Sequence, residues 1–249
     1  MRKVLFMKGS ELRLIEYMEG SKKRFIIPVY QRNYDWKIEN CKQLYDDLIQ
    51  VIKNNSKTHF FGSIVSVYEP SGRNTEFLII DRQQRLTTMS LLFLAMYNLL
   101  EEKIIISEDE SLKDQIYEDF LVDKYQPQEK RMKLKPIKND QKAFSKLFNS
   151  KDDYIKDSNL TINYSYFYER IQKQEITIDE LFDAICRLEI INITLNNEDN
   201  PQLIFESLNS TGLDLSEGDK IRNYILMGLP KQKQDEYYEK YWNCIEKCT

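Results

Sequence analysis

The sequence contains a single histidine, His59, and this scarcity excludes several kinds of catalytic site. HNH nucleases, His-Cys zinc sites and Ser-His-Asp triads each need an imidazole in a fixed constellation. His59 stands directly before the apolar stretch "FFGSIVSVY", where a strand-edge residue is a simpler interpretation than a catalyst. We therefore expect no HNH nuclease centre within this chain.

Cysteine is scarce as well, with four residues scattered along the chain: Cys41, Cys186, Cys244 and Cys248. This spacing is not typical of a disulfide framework. Cys244 and Cys248 are one helical turn apart, but two thiols without a second pair or a histidine make a weak metal site. Neither a disulfide scaffold nor a cysteine metal centre is predicted.

Long apolar runs are also missing. No stretch reaches the roughly 18 consecutive apolar residues that a membrane span needs. The first residues, "MRKVLFMKGSELRL", contain too short an apolar run for a signal peptide. A cytoplasmic protein without a membrane partner is the expectation.

The chain also has no excess of positive charge, because it contains 36 basic and 40 acidic residues and its net charge is −4. This balance argues against a domain that wraps nucleic acid through bulk positive charge. The best local basic patch is "EKRMKLKPIK", residues 129–138. It is a candidate DNA contact, and the solvated flank of a helix is the alternative.

The first hundred residues alternate between helical and strand patterns. Ser10 is predicted to cap a short helix, and the strand "RFIIP" follows. Apolar residues from Ile38 to Ile52 recur at steps of three and four, which indicates a helix. The stretches "FFGSIVSVY" and "EFLII" are predicted strands joined by a turn, and residues 86–100 are predicted to form a buried helix.

The remaining residues are predicted to be largely helical, with one returning strand. Residues 101–185 contain charged helical stretches, and "LEIINITL" has the β-branched residues of a strand that rejoins the sheet. A helix over 201–208 and a further helix capped by Ser216 are predicted next. The last stretch indicates a helix that continues, so we expect a fragment of a longer protein.

The predicted fold class is therefore α+β: a small mixed sheet with flanking helices and a largely helical second region. We divide the chain into a core over 1–100, a helical region over 101–185 and a return to the core over 186–230. Residues 231–249 are predicted to begin a helix that leads to a missing C-terminal part.

The junction between the last strand and the buried helix, "IIDRQQRLTT", is polar where a simple turn would use Gly, Pro, Asn or Ser. A helix that begins directly after a strand offers free N–H groups and a positive dipole end to an anion. Arg85 is placed to contact a phosphate, and Asp81 to hold magnesium, activate water or bind Arg85. The other candidate ligand contacts are Gln83, Gln84, Thr87 and Thr88.

The structural alternative for this junction is an ion pair between Asp81 and Arg85, with the two glutamines bound to loop backbone. A second polar cluster, "IPVYQRNYDW", favours a ligand site because it also follows a strand. Two such loops on neighbouring strands converge on one pocket. Tyr30, Gln31 and Arg32 are therefore predicted nucleotide contacts, with the aromatic rings stacking on the base. Core packing is the alternative for the rings.

Four stretches together resemble one family. In this order, "IPVYQRNYDW", "FFGSIV", "IIDRQQRLTT" and "IFESLNSTGLDLSEGDKIRN" are similar to the GmrS half of GmrSD modification-dependent restriction enzymes, from about residue 10 to 230. The order of elements in the first hundred residues also resembles the ParB and sulfiredoxin-like fold, whose strand-to-helix turn binds nucleotide phosphates.

The resemblance implies a domain that binds, and hydrolyses, a nucleoside triphosphate with Mg²⁺. It further implies an HNH nuclease domain or subunit and DNA as partners of the full-length protein, with phage defence as the setting. A homodimer is a further expectation. The family's Asp-Gly-Gln-Gln-Arg signature falls on 81–85, its Tyr-Gln-Arg signature on 30–32, and its Asn-x-x-Gly loop on Asn209 and Gly212.

Arg82 departs from the family pattern, which has glycine there. A glycine at a phosphate-binding turn allows a positive φ or a close approach of the backbone. Arg82 therefore either adds a phosphate contact at a tolerated backbone angle or blocks the site.

Three hypotheses remain at this point. The first is a regulatory domain that binds and hydrolyses NTP, with Asp81 and Arg85 as its catalytic residues. The second is a module that senses a nucleotide or modified DNA without hydrolysis. The third is a nuclease within this chain.

Overall fold

The computed structural model of the chain describes residues 9–195, residue 204 and residues 216–246. The predicted helix over 201–208, except Ile204, and the candidate residues Asn209 and Gly212 lie outside the described residues. Cys248 does too.

The elements of the first hundred residues build most of a mixed sheet and its central helix. In chain order they are β1 (Gly9–Arg13), α1 (Leu14–Met18), β2 (Lys23–Ile26), α2 (Ile38–Lys53), β3 (His59–Ser71), β4 (Asn74–Asp81) and α3 (Gln83–Glu101). The helix predicted from Ser10 is wrong in its first turn, because residues 9–13 pair with a later strand and only Leu14–Met18 is helical.

The second half adds helices, a short strand and the returning strand. These are α4 (Leu112–Gln115), continued by a π-helical turn (Ile116–Leu121), β5 (Leu134–Lys135), α5 (Lys138–Lys146), α6 (Asn159–Gln172), α7 (Ile178–Cys186), β6 (Leu188–Leu195), α8 (Glu217–Met227), α9 (Lys231–Tyr237) and α10 (Asn243–Glu246). Short 3₁₀ turns (Gln128–Lys130 and Lys151–Asp153) and a second π-helical turn (Tyr238–Trp242) complete it. The Oγ of Ser216 accepts a hydrogen bond from the N–H of Asp219 at 3.1 Å, so the predicted cap is confirmed.

The six strands form one sheet in the order β1-β6-β3-β4-β2-β5. The strand β6 lies between β1 and β3, which confirms that "LEIINITL" returns to the sheet. A mixed sheet with helices of both halves packed on it confirms the α+β class. The ParB-like detail and the division into four regions stay predictions.

The two faces of the sheet carry cores of different size. Ile64 and Ile79 contribute to the large core that contains α3, whereas their neighbours Val65 and Ile80 contribute to a small core with Leu226 of α8. Successive side chains of a strand point to opposite faces, which explains this division. The helix α3 is buried along most of its length, as expected for a helix at the centre of a core. No helix in the described part of the chain is long and apolar enough to cross a membrane.

Candidate functional site

The two polar loops meet at one edge of the sheet, as their positions in the sequence predict. The strands β2 and β4 pair in parallel, with Ile26 opposite Leu78, so their carboxyl ends lie side by side. The chain after β2 then crosses the start of α3. Gln31 joins the two segments, because its Nε2 donates to the carbonyl oxygen of Ile80 at 2.7 Å.

The two glutamines of the junction bind the loop after β2 through its backbone. The Nε2 of Gln83 donates to the carbonyl oxygen of Arg32 at 3.0 Å, and the Nε2 of Gln84 donates to that of Asn33 at 3.0 Å. The Oε1 of Gln84 accepts from the N–H of Asp35 at 3.0 Å and from that of Trp36 at 3.4 Å. This is the structural alternative for the glutamines, and both are about 6% exposed.

Thr87 and Thr88 lie deeper than predicted because α3 begins at Gln83 rather than near residue 86. They fall in the second turn of the helix and are almost completely buried. The Oγ1 of Thr88 lies 2.7 Å from the hydroxyl of Tyr34, which also accepts from the Nδ2 of Asn163 at 3.0 Å. Neither threonine therefore lies in the first turn of the helix, and Thr88 joins α3 to the loop and, through Tyr34, to α6.

The remaining predicted contacts of the loop are also engaged within the protein. Tyr30 is 3% exposed and belongs to the small core, so its ring offers no open face to a base. Gln31 is 5% exposed. Arg32 is partly exposed and its Nη1 lies 3.0 Å from the Oδ2 of Asp35.

The space between the two segments is too small for a nucleotide. A cavity of about 10 Å³ lies there, lined among others by Arg32, Tyr34, Gln83, Thr87 and Asp140. Such a volume accommodates at most one water molecule. Direct contact of a nucleotide with the buried glutamines and threonines would require the two segments to separate. We call this closed face, formed by Gln31, Gln83, Gln84, Thr88 and the loop over 32–36, the inner side of the junction.

Asp140 borders the same cavity and carries a shifted pKa. Its Oδ2 accepts from the N–H of Tyr34 at 2.6 Å. Burial raises the pKa of this carboxyl from 3.8 to about 6, and the negative charge of Asp35 acts in the same direction. The hydrogen bond from Tyr34 opposes the shift without cancelling it.

The outer side of the junction is formed by Asp81, Arg82, Arg85 and Gly62. Arg82 is the residue before α3 and has φ 68° and ψ 27°, the left-handed region. This explains why glycine suits the position, and it shows that arginine is accommodated there. The Oδ1 of Asp81 accepts from the N–H of Arg82 at 2.8 Å, and its Oδ2 lies 3.4 Å from the Nε of Arg82. The carboxylate therefore pairs with Arg82 rather than with Arg85.

Arg85 extends away from the inner side, towards β3. Its Nη1 donates to the carbonyl oxygen of Phe61, and its guanidinium carbon lies 5.4 Å from the centre of the Phe61 ring. The side chain is half-buried and has no ion pair within the described residues. Burial lowers the pKa of Arg85 and the charge of Arg82 adds to this effect, whereas the carboxylates of Asp81 and Asp47 oppose it.

Gly62 makes room for Arg85, a role that the sequence analysis missed. It has φ +127°, and a Cβ placed on it would lie 2.7 Å from the Nη1 of Arg85. The register between β3 and β6 shifts at Phe60 and Gly62, as in a β-bulge. An isolated glycine inside the strand pattern "FFGSIV" is a signal for such a bulge or for a close approach of another group.

Arg222 of α8 is a second residue that the sequence analysis missed. It is 5% exposed, and its Nε donates to the carbonyl oxygen of Tyr30 at 2.8 Å. Its Nη2 lies 2.5 Å from the Oδ1 of Asp219. The stretch "SEGDKIRN" is therefore in contact with the loop that carries Gln31 and Arg32.

A comparison of the sequence with models of protein families identifies the family of this chain. The sequence model of the GmrSD restriction endonuclease N-terminal domain matches residues 14–226, most of the chain. The chain belongs to this family. All four stretches that carry the resemblance lie within the match, and membership places the GmrSD-type domain in DNA restriction. A search of curated proteins found no match.

The basic patch of this GmrSD-type domain is only partly available to a partner. Lys130 and Arg131 are exposed, but Lys133 is 1% exposed. The Nζ of Lys133 donates to the carbonyl oxygens of Gly20 and Asp119, and burial lowers its pKa to about 8. Lys133 therefore stabilises the packing of β5 and cannot contact DNA.

The described residues of this site suit a phosphate group better than a metal ion. Among the described residues, no three His, Cys, Asp or Glu side chains come together as a metal site. On the outer side, Arg82 and Arg85 stand at the N-terminus of α3, whose first turn contains no acidic residue. The N–H groups of Gln83, Gln84 and Arg85 have no acceptor within the described residues. This side fits a phosphate group, whereas the cavity of the inner side does not fit a base.

Proposed function

We propose that this GmrSD-type domain binds the phosphate groups of a nucleoside triphosphate on the outer side of the junction, and that this binding regulates DNA restriction. The observation that carries the proposal is the position of Arg85. A half-buried guanidinium without an ion pair in the described residues lies at the N-terminus of a 19-residue helix. Such a helix end attracts phosphate through its free N–H groups and its dipole.

Arg170 of α6 shows what a structural arginine looks like in the same protein. Its Nη2 lies 2.5 Å from the Oδ1 of Asp46, and its Nε lies 2.9 Å from the Oε1 of Glu175. Removing a charge from water is costly unless it is paired. Arg85 has no direct ion pair within the described residues, since the carboxylates of Asp81 and Asp47 act on it only from a distance, and an anionic ligand would supply a direct partner. Gly62, which leaves space for the guanidinium, supports the same conclusion.

The proposal also includes hydrolysis of the bound nucleotide. Asp81 is the nearest carboxylate to the proposed phosphate position in the motif, and one carboxylate together with phosphate oxygens can hold Mg²⁺. Within this chain, Asp81 is hydrogen-bonded to the backbone of Arg82 and lies close to its side chain. That pairing favours the second candidate function, which is nucleotide sensing without hydrolysis.

The partners follow from the family rather than from the geometry. We propose that in the full-length protein the domain works with an HNH nuclease domain or subunit on DNA, in defence against phage. The contact between Arg222 and the Tyr30 carbonyl supports a regulatory role, because it links α8 to the loop beside the site. A homodimer is a further proposal.

Thermal unfolding with ATP, GTP, CTP or UTP and Mg²⁺ tests the binding. A ligand that binds only the folded state stabilises it by about 2.7 kcal/mol at a hundredfold excess over its Kd. We expect at least one nucleotide to raise the Tm of the parent and not that of Arg85→Ala. Arg73→Ala, at an exposed hairpin position, is the matched control and keeps the shift. No shift with any nucleotide, in the parent or in Arg82→Gly, contradicts the proposal.

Release of inorganic phosphate from the nucleotide that binds separates the two candidate functions. Turnover that is lost in Asp81→Asn, while binding remains, identifies a hydrolase. Binding without turnover identifies a sensor.

A further inference from the structure

A cavity of about 640 Å³ lies beside α6, and neither the family resemblance nor the phosphate site accounts for it. Its lining combines Ile38 at the start of α2 with Tyr154, Thr161, Ile162 and Tyr166. Cavities that bind small molecules and cofactors commonly have volumes of about 300–1,000 Å³. The cavity therefore has the size of a ligand site.

The walls of the cavity are apolar and aromatic. Ile38 is 41% exposed and Ile162 is 38% exposed, which is high for isoleucine. Tyr154 and Tyr166 are half-buried, and the ring of Tyr154 packs edge-on against Tyr164 at 5.6 Å. Tyrosine rings held in place by packing offer flat faces on which another planar ring can stack.

The charged lining residues are Lys151, Lys156 and Glu169. Lys151 is already engaged, because its Nζ lies 3.0 Å from the Oε2 of Glu102 and 4.4 Å from the centre of the Tyr168 ring. Lys156 and Glu169 are exposed and have no ion pair within the described residues. An ammonium group binds phosphate, and a carboxylate accepts hydrogen bonds from the exocyclic amino group of a base.

We propose that this cavity binds a nucleotide whose base carries an exocyclic amino group, at a site separate from the N-terminus of α3. The base packs against the tyrosines and isoleucines, while Glu169 accepts a hydrogen bond from the amino group and Lys156 contacts the phosphate. The proposal does not depend on the phosphate site at Arg85, and the two can fail separately.

Calorimetric titration with dCMP, dAMP and dTMP tests the proposal. We expect dCMP and dAMP to bind at least about threefold more tightly than dTMP, which has no amino group. Glu169→Ala removes the acceptor for the amino group and weakens the binding of dCMP about three- to tenfold, the effect of one hydrogen bond. Ser165→Trp fills the cavity and abolishes binding, whereas Lys42→Trp, at an exposed position of α2, leaves it unchanged.

Two further titrations complete the experiment. One uses the Arg85→Ala variant, and the other uses a short single strand of deoxycytidine as the ligand. Arg85→Ala keeps the binding if the cavity is the site. Tighter binding of the strand than of dCMP identifies single-stranded DNA as the source of the base, and equal binding identifies the free nucleotide. The proposal is overturned if no nucleotide or strand binds, if dTMP binds as tightly as dCMP, or if Arg85→Ala abolishes binding and Glu169→Ala does not change it.

Discussion

The inner and outer sides of the junction between β4 and α3 come from one run of polar residues, yet they engage their side chains differently. On the inner side, Gln83 and Gln84 bind the backbone of the neighbouring loop within a nearly filled space. On the outer side, Arg85 is half-buried without an ion pair in the described residues. Adjacent residues of one motif therefore have different roles: the inner residues hold the loop in place, and the outer ones are available to an anion.

The largest effect on stability is expected at the inner side, for Gln84→Ala. This change removes three hydrogen bonds of the buried Gln84 side chain, to the carbonyl of Asn33 and to the N–H groups of Asp35 and Trp36. We expect the free energy of unfolding to fall by about 3 kcal/mol, since each such bond contributes about 1 kcal/mol. Urea denaturation measures it, with Gln50→Ala on the exposed face of α2 as the control. A loss equal to that of the control would show that the inner hydrogen bonds are dispensable.

The second-largest effect on stability is expected for Gly62→Ala, which also weakens nucleotide binding on the outer side. The φ of +127° disfavours any side chain, and the new Cβ would collide with the guanidinium of Arg85. We expect a loss of about 2 kcal/mol, typical of a residue forced into such a backbone conformation. Nucleotide binding falls as well because Arg85 is displaced. Gly72→Ala, at a positive φ in the β3–β4 turn with no atom within 4 Å, separates backbone strain from the collision. Equal nucleotide binding by both variants would refute the role of Gly62.

Asp140→Asn tests how the stability of the inner side depends on pH. The folded-state pKa of about 6 exceeds the ordinary 3.8, so the folded protein holds this proton more tightly than the unfolded chain. The resulting stabilisation is fully present below about pH 4 and is lost as the pH rises through 6. Asparagine keeps the acceptor for Tyr34 without the charge. We expect Asp140→Asn to raise the unfolding free energy by about 1–2 kcal/mol at pH 7.5, and not at pH 4. An equal difference at both pH values would exclude Asp140 as the cause.

Arg82→Gly has the smallest expected effect on stability. Glycine adopts φ 68° without strain, whereas another residue pays about 1 kcal/mol there. The greater freedom of glycine in the unfolded chain offsets part of this gain. We expect a change within about 0.5 kcal/mol, measured by urea denaturation. The same variant tests whether the arginine adds a phosphate contact: weaker nucleotide binding supports the contact, and stronger binding shows that the side chain obstructs the site.

Much of this architecture could be predicted from local patterns. The strands around Phe25, Ile64 and Ile79 and the helix from Ile38 follow from hydrophobic periodicity. The meeting of the two polar loops follows from placing each directly after a strand. The strand Gly9–Arg13 could not be predicted, because its pairing partner lies about 180 residues further along the chain. Tertiary pairing here overrides a local pattern that also suits a helix.

The division of the site could not be predicted for a related physical reason. Gln84 and Arg85 are adjacent and polar, and the local pattern does not show which strand or loop each side chain reaches. Their roles differ because β4 lies between β2 and β3 in the sheet, so one side chain reaches the loop after β2 and the other reaches Phe61 on β3. Gly62 had a local signal, a glycine inside a strand pattern. Its partner became evident only from the packing of α3 beside β3.

The most direct test of the divided junction is Arg85→Ala, measured for both stability and binding. Calorimetric titration with the nucleotide that stabilises the parent gives the Kd, and urea denaturation of the same samples gives the free energy of unfolding. We predict at least tenfold weaker binding, about 1.4 kcal/mol, with the unfolding free energy changed by less than about 1 kcal/mol. Unchanged affinity in Arg85→Ala, or a large loss of stability that accounts for the weaker binding, would contradict the division of the junction into a structural and a ligand-binding side.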